Sequence, residues 1–106
     1  MTLDDLPQGG FPLPYFHDSG HGWIKAPVDF VELFGLKPTR YSYTDYAHVY
    51  LEEDRDAPEL IRALREHDID FYLYDLRYSG DCFIRKLPRY TATEPRNRGQ
   101  MAIDLD

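Results

Sequence analysis

The chain has one cysteine, Cys82, one tryptophan, Trp23, and two methionines among 106 residues. A lone cysteine excludes an internal disulfide and fits a reducing compartment. No apolar run approaches the roughly 18 residues that a membrane span needs. The first residues, Met1-Thr-Leu-Asp-Asp, are acidic where a secretory signal is basic. Together these features predict a cytoplasmic protein without membrane contact. Motifs that announce chemistry are missing too: there is no Walker loop, Gly-x-Gly-x-x-Gly, Cys-x-x-Cys or Gly-x-Ser-x-Gly. Positive charge is scarce, with 12 Lys and Arg against 19 Asp and Glu, a net of −7. Such a chain repels nucleic acid and attracts basic protein surfaces, including those built to hold nucleic acid.

What is present is acid and tyrosine, close together. Residues 45–81 hold eleven Asp and Glu against four Arg, and Tyr41, Tyr43, Tyr46, Tyr50, Tyr72 and Tyr74 lie inside or beside that stretch. Residues 82–98 reverse the sign with Arg85, Lys86, Arg89, Arg96 and Arg98 against Glu94. That strip reads as an internal counter-charge, or a contact to an acidic patch, more than as a phosphate contact, because its acidic neighbour repels the same polymer. An apolar fraction of 42% is ample for one folded domain with one core.

Pro7, Gly9, Gly10, Pro12 and Pro14 mark residues 1–14 as a flexible leader. Tyr15–His17 and Trp23–Lys25 read as strands around the turn Asp18-Ser19-Gly20-His21-Gly22. Pro27 opens a short helix with Phe30, Val31 and Phe34 on one face and Gly35 as its stop. Thr39–Thr44 and Ala47–Glu52 alternate as a hairpin. Asp56, Pro58 and Glu59 announce a second helix with Leu60, Ile61 and Leu64 inside, Asp56 serving as its cap. Asp70–Arg77 and Cys82–Lys86 complete the pattern as strands. The expected fold is α+β, ββαββαββ: an antiparallel sheet of about six strands with both helices on one face and an aromatic face left open. One domain spans 15–90, and 91–106 is read as a mobile tail or late edge strand.

Several groups invite a chemical reading. His17, Asp18 and His21 sit on a glycine-bearing turn and carry donors that suit zinc, iron or manganese. Such a site needs a distant ligand from His48, His67 or Asp81, and a tight turn with Asp18 bonding nearby amides is the simpler reading. Cys82, between Asp81 and Phe83, reads as a buried thiol, not a nucleophile. Glu52, Glu53, Asp54 and Asp56 lack the glycine and closing Glu of a calcium loop and read as an exposed acidic corner.

His17-Asp-Ser-Gly-His-Gly-Trp23, Tyr41-Ser-Tyr43, Val49-Tyr-Leu-Glu-Glu-Asp54 and Ile84-Arg85 followed by Tyr90 resemble a group of small proteins encoded in proteobacterial genomes, phages and plasmids. The group brings no catalytic residue. Its link to mobile elements implies counter-defence, and in size and acidity the chain is similar to anti-CRISPR proteins that occupy nucleic-acid-binding surfaces. The expectation is a non-enzymatic inhibitor or DNA mimic, monomeric or a small homo-oligomer, without cofactor or direct nucleic-acid contact. It would grip a basic host protein through Glu52, Glu53, Asp54, Asp56, Asp68, Asp70 and Asp75, with Tyr50, Tyr72 and Tyr74 as anchors. The alternatives are a metal-dependent hydrolase or nuclease at His17, Asp18 and His21, or an assembly subunit that self-associates through its tyrosine face.

Overall fold

The computed structural model describes residues 10–91; the expected leader before Gly10 and the expected tail beyond Thr91 lie outside them. In chain order the elements are β1 (Phe11–His17), β2 (Gly22–Pro27), α1 (Asp29–Leu33), β3 (Tyr43–Thr44), β4 (His48–Glu52), α2 (Ala57–Glu66) and β5 (Phe71–Arg77). A 3₁₀ turn follows at Phe83–Lys86. The strands form one sheet in the order β3-β4-β2-β1-β5. The class is α+β, but the sheet is five-stranded and mixed, not six-stranded and antiparallel. β5 pairs parallel with β1, from Phe11↔Phe71 to His17↔Arg77, and every other pair is antiparallel. The reason is the helix between β4 and β5: a helical crossover returns the chain to its starting end, so the next strand runs parallel.

Apolar alternation puts a core on each face of the sheet. Leu13, Ile24, Ala26, Val49 and Leu51 pack against Phe30 of α1 and Ala57, Leu60 and Leu64 of α2. On the opposite face Phe16, Trp23, Tyr43 and Tyr50 pack against Cys82 and Ile84. This overturns the expected open aromatic face, since the chain after β5 folds back and covers its middle. Cys82–Lys86 is not a strand. Arg85 N–H bonds the Cys82 carbonyl and Leu87 N–H bonds that of Ile84, closing two tight turns. Cys82 and Ile84 are both buried, and that two-residue spacing imitates strand alternation.

Three local expectations change for identifiable reasons. β1 begins at Phe11, inside the expected leader. Proline backbone is already extended, and the registered β1–β2 pairs stop at Tyr15↔Ile24, short of Pro14 and Pro12. The Thr39–Thr44 strand shrinks to Tyr43–Thr44, because Thr39 and Ser42 are tied to Asp56 instead. Asp56 stands at the N-cap of α2 but makes no capping bond with its side chain. Its carboxylate accepts from Thr39 N–H at 2.8 Å, Thr39 Oγ1 at 2.8 Å and Ser42 Oγ at 2.5 Å. The end of α2 is a Schellman turn: Ile69 N–H reaches the Leu64 carbonyl and Asp68 N–H that of Arg65, with Asp68 at φ +55°.

Candidate protein-binding surface

The histidine-bearing turn is a structural joint. Asp18 is buried, and its two carboxylate oxygens accept from Gly20 N–H (3.0 Å), His21 N–H (3.1 Å), Cys82 N–H (3.0 Å), Arg85 Nε (2.8 Å) and Arg85 Nη2 (2.9 Å). The Arg85 guanidinium holds the Asp18 carboxyl far below the usual carboxylate range against the opposing pull of burial, and the three amides assist. Arg85 also lies 5.3 Å from the Trp23 ring, and a Cβ on Gly20 would fall 2.9 Å from Arg85 Nη2. His17 stacks on Tyr15 with ring centroids 4.8 Å apart, whereas His21 stands beside Trp23 and Glu52. The two imidazoles thus belong to different clusters, and Asp18 has no lone pair to spare. Among the described residues no three His, Cys, Asp or Glu side chains converge to hold a metal.

The expected binding residues divide into two sets. Tyr50, Glu52 and Asp56 are 2%, 6% and 5% exposed, so they cannot meet a partner where they stand. Tyr50 donates to Asp45 at 2.7 Å, and that carboxylate also accepts the Ala47 and His48 amides that close the β3–β4 turn. Burial and Asp45 push the Tyr50 phenol well above its ordinary value. Glu52 accepts from Asp54 and Arg55 N–H and so closes the turn into α2. The acidic corner is therefore interior at Glu52 and Asp56, half-buried at Glu53 and exposed only at Asp54. A carboxylate that satisfies several local donors looks the same in sequence as one that faces solvent.

The second set lies on one element. Asp68 and Asp70 lead into β5, and Tyr72, Tyr74 and Asp75 sit on it; all five are exposed. The Tyr72 and Tyr74 rings are 6.5 Å apart on one face, 54% and 42% exposed. β5 is also the edge of the sheet. Its phase follows from its two ends: Phe11 N–H donates to the Asp70 carbonyl at 2.8 Å, and Tyr78 N–H donates to the His17 carbonyl at 2.9 Å. Even-numbered residues of β5 therefore turn their amides toward β1. Phe71, Leu73, Asp75 and Arg77 turn theirs outward, and among the described residues no backbone hydrogen bond reaches that edge.

The side chains of these outward residues share the helix side of the sheet. Leu73 lines an open groove of about 760 Å³ with Tyr15, Ile24, Ile61 and Arg65, which runs between α2 and β5. At its inner end the Tyr15 hydroxyl donates to Glu53, and burial followed by that carboxylate pushes the phenol up to about 12. Gly22 makes the pairing possible, since a Cβ there would lie 2.7 Å from Tyr15 Cε1. His17 Nε2 is 3.8 Å from Asp75 Oδ1, which ties the strand's acid loosely to β1. Sequence reasoning missed the groove, for which the apolar residues on both faces of Phe71–Leu76 were the available signal. Arg85 is an internal counter-charge, as its strip was read, but nothing local marked Asp18 as the acid it meets.

No helix among the described residues is long and apolar enough to cross a membrane. Comparison with protein-family models, with curated proteins and with solved structures finds no match.

Proposed function

We propose that this chain is a small acidic protein-binding module, an inhibitor of mobile-element type that engages a basic, nucleic-acid-handling surface of a host protein. The observation that carries the reading is the coincidence on β5 of exposed acids, exposed tyrosines and a backbone edge to which no described residue is paired. Asp68, Asp70 and Asp75 supply the charge that draws in Arg and Lys, and the net −7 of the whole chain adds long-range attraction. Tyr72 and Tyr74 present flat, amphipathic rings that lose little entropy on burial, as interface anchors do. The buried acids serve the scaffold and are withdrawn from the binding set, which becomes Asp54, Asp68, Asp70, Asp75, Tyr72 and Tyr74 with Glu53 at its margin. The resemblance to mobile-element proteins directs the search for the partner to defence complexes.

The test is capture from host lysate by wild type and by Asp70→Lys/Asp75→Lys, Tyr72→Ala/Tyr74→Ala and the control Tyr46→Ala. At ~0.5 M salt, where screening shortens to a few ångströms, the captured partner should be lost. Both double variants should lose it at low salt and Tyr46→Ala should retain it. A partner held equally by all three variants would contradict the reading.

A further inference from the structure

We infer that the occupant of the β5 edge is an extended segment of the basic partner, added as a sixth strand, with an apolar side chain in the groove between α2 and β5 and a Lys or Arg two residues from it facing Asp75. The inference rests on the binding reading and makes it specific. Phe71, Leu73, Asp75 and Arg77 present their N–H and C=O groups to the outside, a ready ladder for an extended chain. Because a strand's amide direction and side-chain face alternate together, the side chains of those same residues lie on the helix side. An added residue opposite Leu73 therefore stands over the groove, against Ile61 and the stem of Arg65. Its neighbour two positions away stands opposite Asp75, which is 73% exposed, with His17 Nε2 3.8 Å away and Tyr15 in register on β1. The charge of that position selects a cation. The intervening residue falls on the other face, against Tyr74 and Tyr72, where a cation or an apolar group is equally accommodated. The spacing holds whichever direction the added strand runs.

A second copy of this chain is the competing occupant, and charge argues against it. Two copies that meet through β5 must approach against the mutual repulsion of molecules that each carry −7, whereas a basic segment is drawn in.

The test is selection of random peptides displayed on phage against the folded chain. Enriched peptides should share an apolar residue two positions from Lys or Arg. The affinity of a selected peptide should fall about tenfold or more for Leu73→Pro and for Asp75→Lys, the equivalent of one or two lost contacts. Leu73→Pro removes an outward N–H and leaves the β1–β5 ladder intact, so it should fold. Should that variant fail to fold, N-methylation of the peptide carries the test instead. Methylation of alternate amides should abolish binding in one phase and spare it in the other. No shared pattern, or binding indifferent to both Leu73→Pro and N-methylation, would overturn strand addition. Dimerisation that Leu73→Pro abolishes, with no peptide enriched, would assign the edge to a second copy. Capture of a partner that depends on Asp70 and Asp75 but not on Leu73→Pro would leave the binding reading standing and remove only the added strand.

Discussion

Arg85 grips Asp18 across 67 residues of sequence, Nε to Oδ2 at 2.8 Å and Nη2 to Oδ1 at 2.9 Å, and so fastens the chain after β5 onto the turn between β1 and β2. The same carboxylate accepts three amides, one of them from Cys82, whose side chain lies in the second core. A change at either partner should propagate into that core. Arg85→Ala should destabilise the fold by about 3–5 kcal/mol, because it leaves the buried Asp18 carboxylate without its cation. Asp18→Ala should cost about 1–3 kcal/mol or more, because it strips Arg85 and three amides of their acceptor. Urea unfolding of both single variants and the double should show strong non-additivity, since the second change removes the charge that the first stranded.

Acid should unfold the protein through the same joint. Arg85 holds the Asp18 carboxyl well below its unfolded value of about 4, so the stability it contributes is complete above that value and is lost as pH falls below it. Thermal unfolding of wild type between pH 6 and about pH 2 should show a steep loss beginning near pH 4. In Asp18→Asn the slope in that window should be shallower, on top of a lower stability throughout.

Much of the fold is legible locally. Pro58 and Glu59 mark the start of α2, and Gly35, at φ +64°, stands where the first helix stops. The β3–β4 hairpin is legible in the alternation of Val49 and Leu51 with Tyr50. What could not be read is non-local. Alternation within Phe71–Arg77 marks a strand but is silent about its neighbour, and only the α2 crossover decides that it pairs parallel with β1. Asp56 carries the signature of a cap, yet Thr39 and Ser42 offer it three donors and win. The tyrosines at 43 and 50 read as surface because their hydroxyls are polar; Tyr50 can be buried because its hydroxyl donates a hydrogen bond to Asp45.

Asp68 occupies a left-handed position at the end of α2, where a Cβ crowds the neighbouring carbonyl. Asp68→Gly should raise stability by about 0.5–1 kcal/mol in chemical denaturation. Because Asp68 is one of the acids assigned to the binding edge, the same variant should weaken partner capture slightly, which separates its two roles.

Gly22 should tolerate no side chain. Gly22→Ala drives a methyl into the Tyr15–Glu53 pair and should cost about 1–3 kcal/mol by overpacking. Tyr15→Phe should relieve the hydroxyl contact and recover part of the loss, which equilibrium unfolding of the double variant would register.

Cys82 is fully buried, and burial pushes its thiol above the ordinary value. Labelling by a thiol reagent in the native state should proceed only as fast as the protein opens, and should accelerate strongly in Asp18→Ala.

Amide hydrogen exchange along β5, residue by residue and with and without the captured partner, tests the central claim most directly. In the free chain Tyr72, Tyr74 and Leu76 should be protected by β1, while Phe71, Leu73, Asp75 and Arg77 exchange fast. On binding, the fast set should become protected and the rest of the sheet should change little. Outward amides that stay fast in the complex, with protection arising elsewhere on the molecule, would contradict the account.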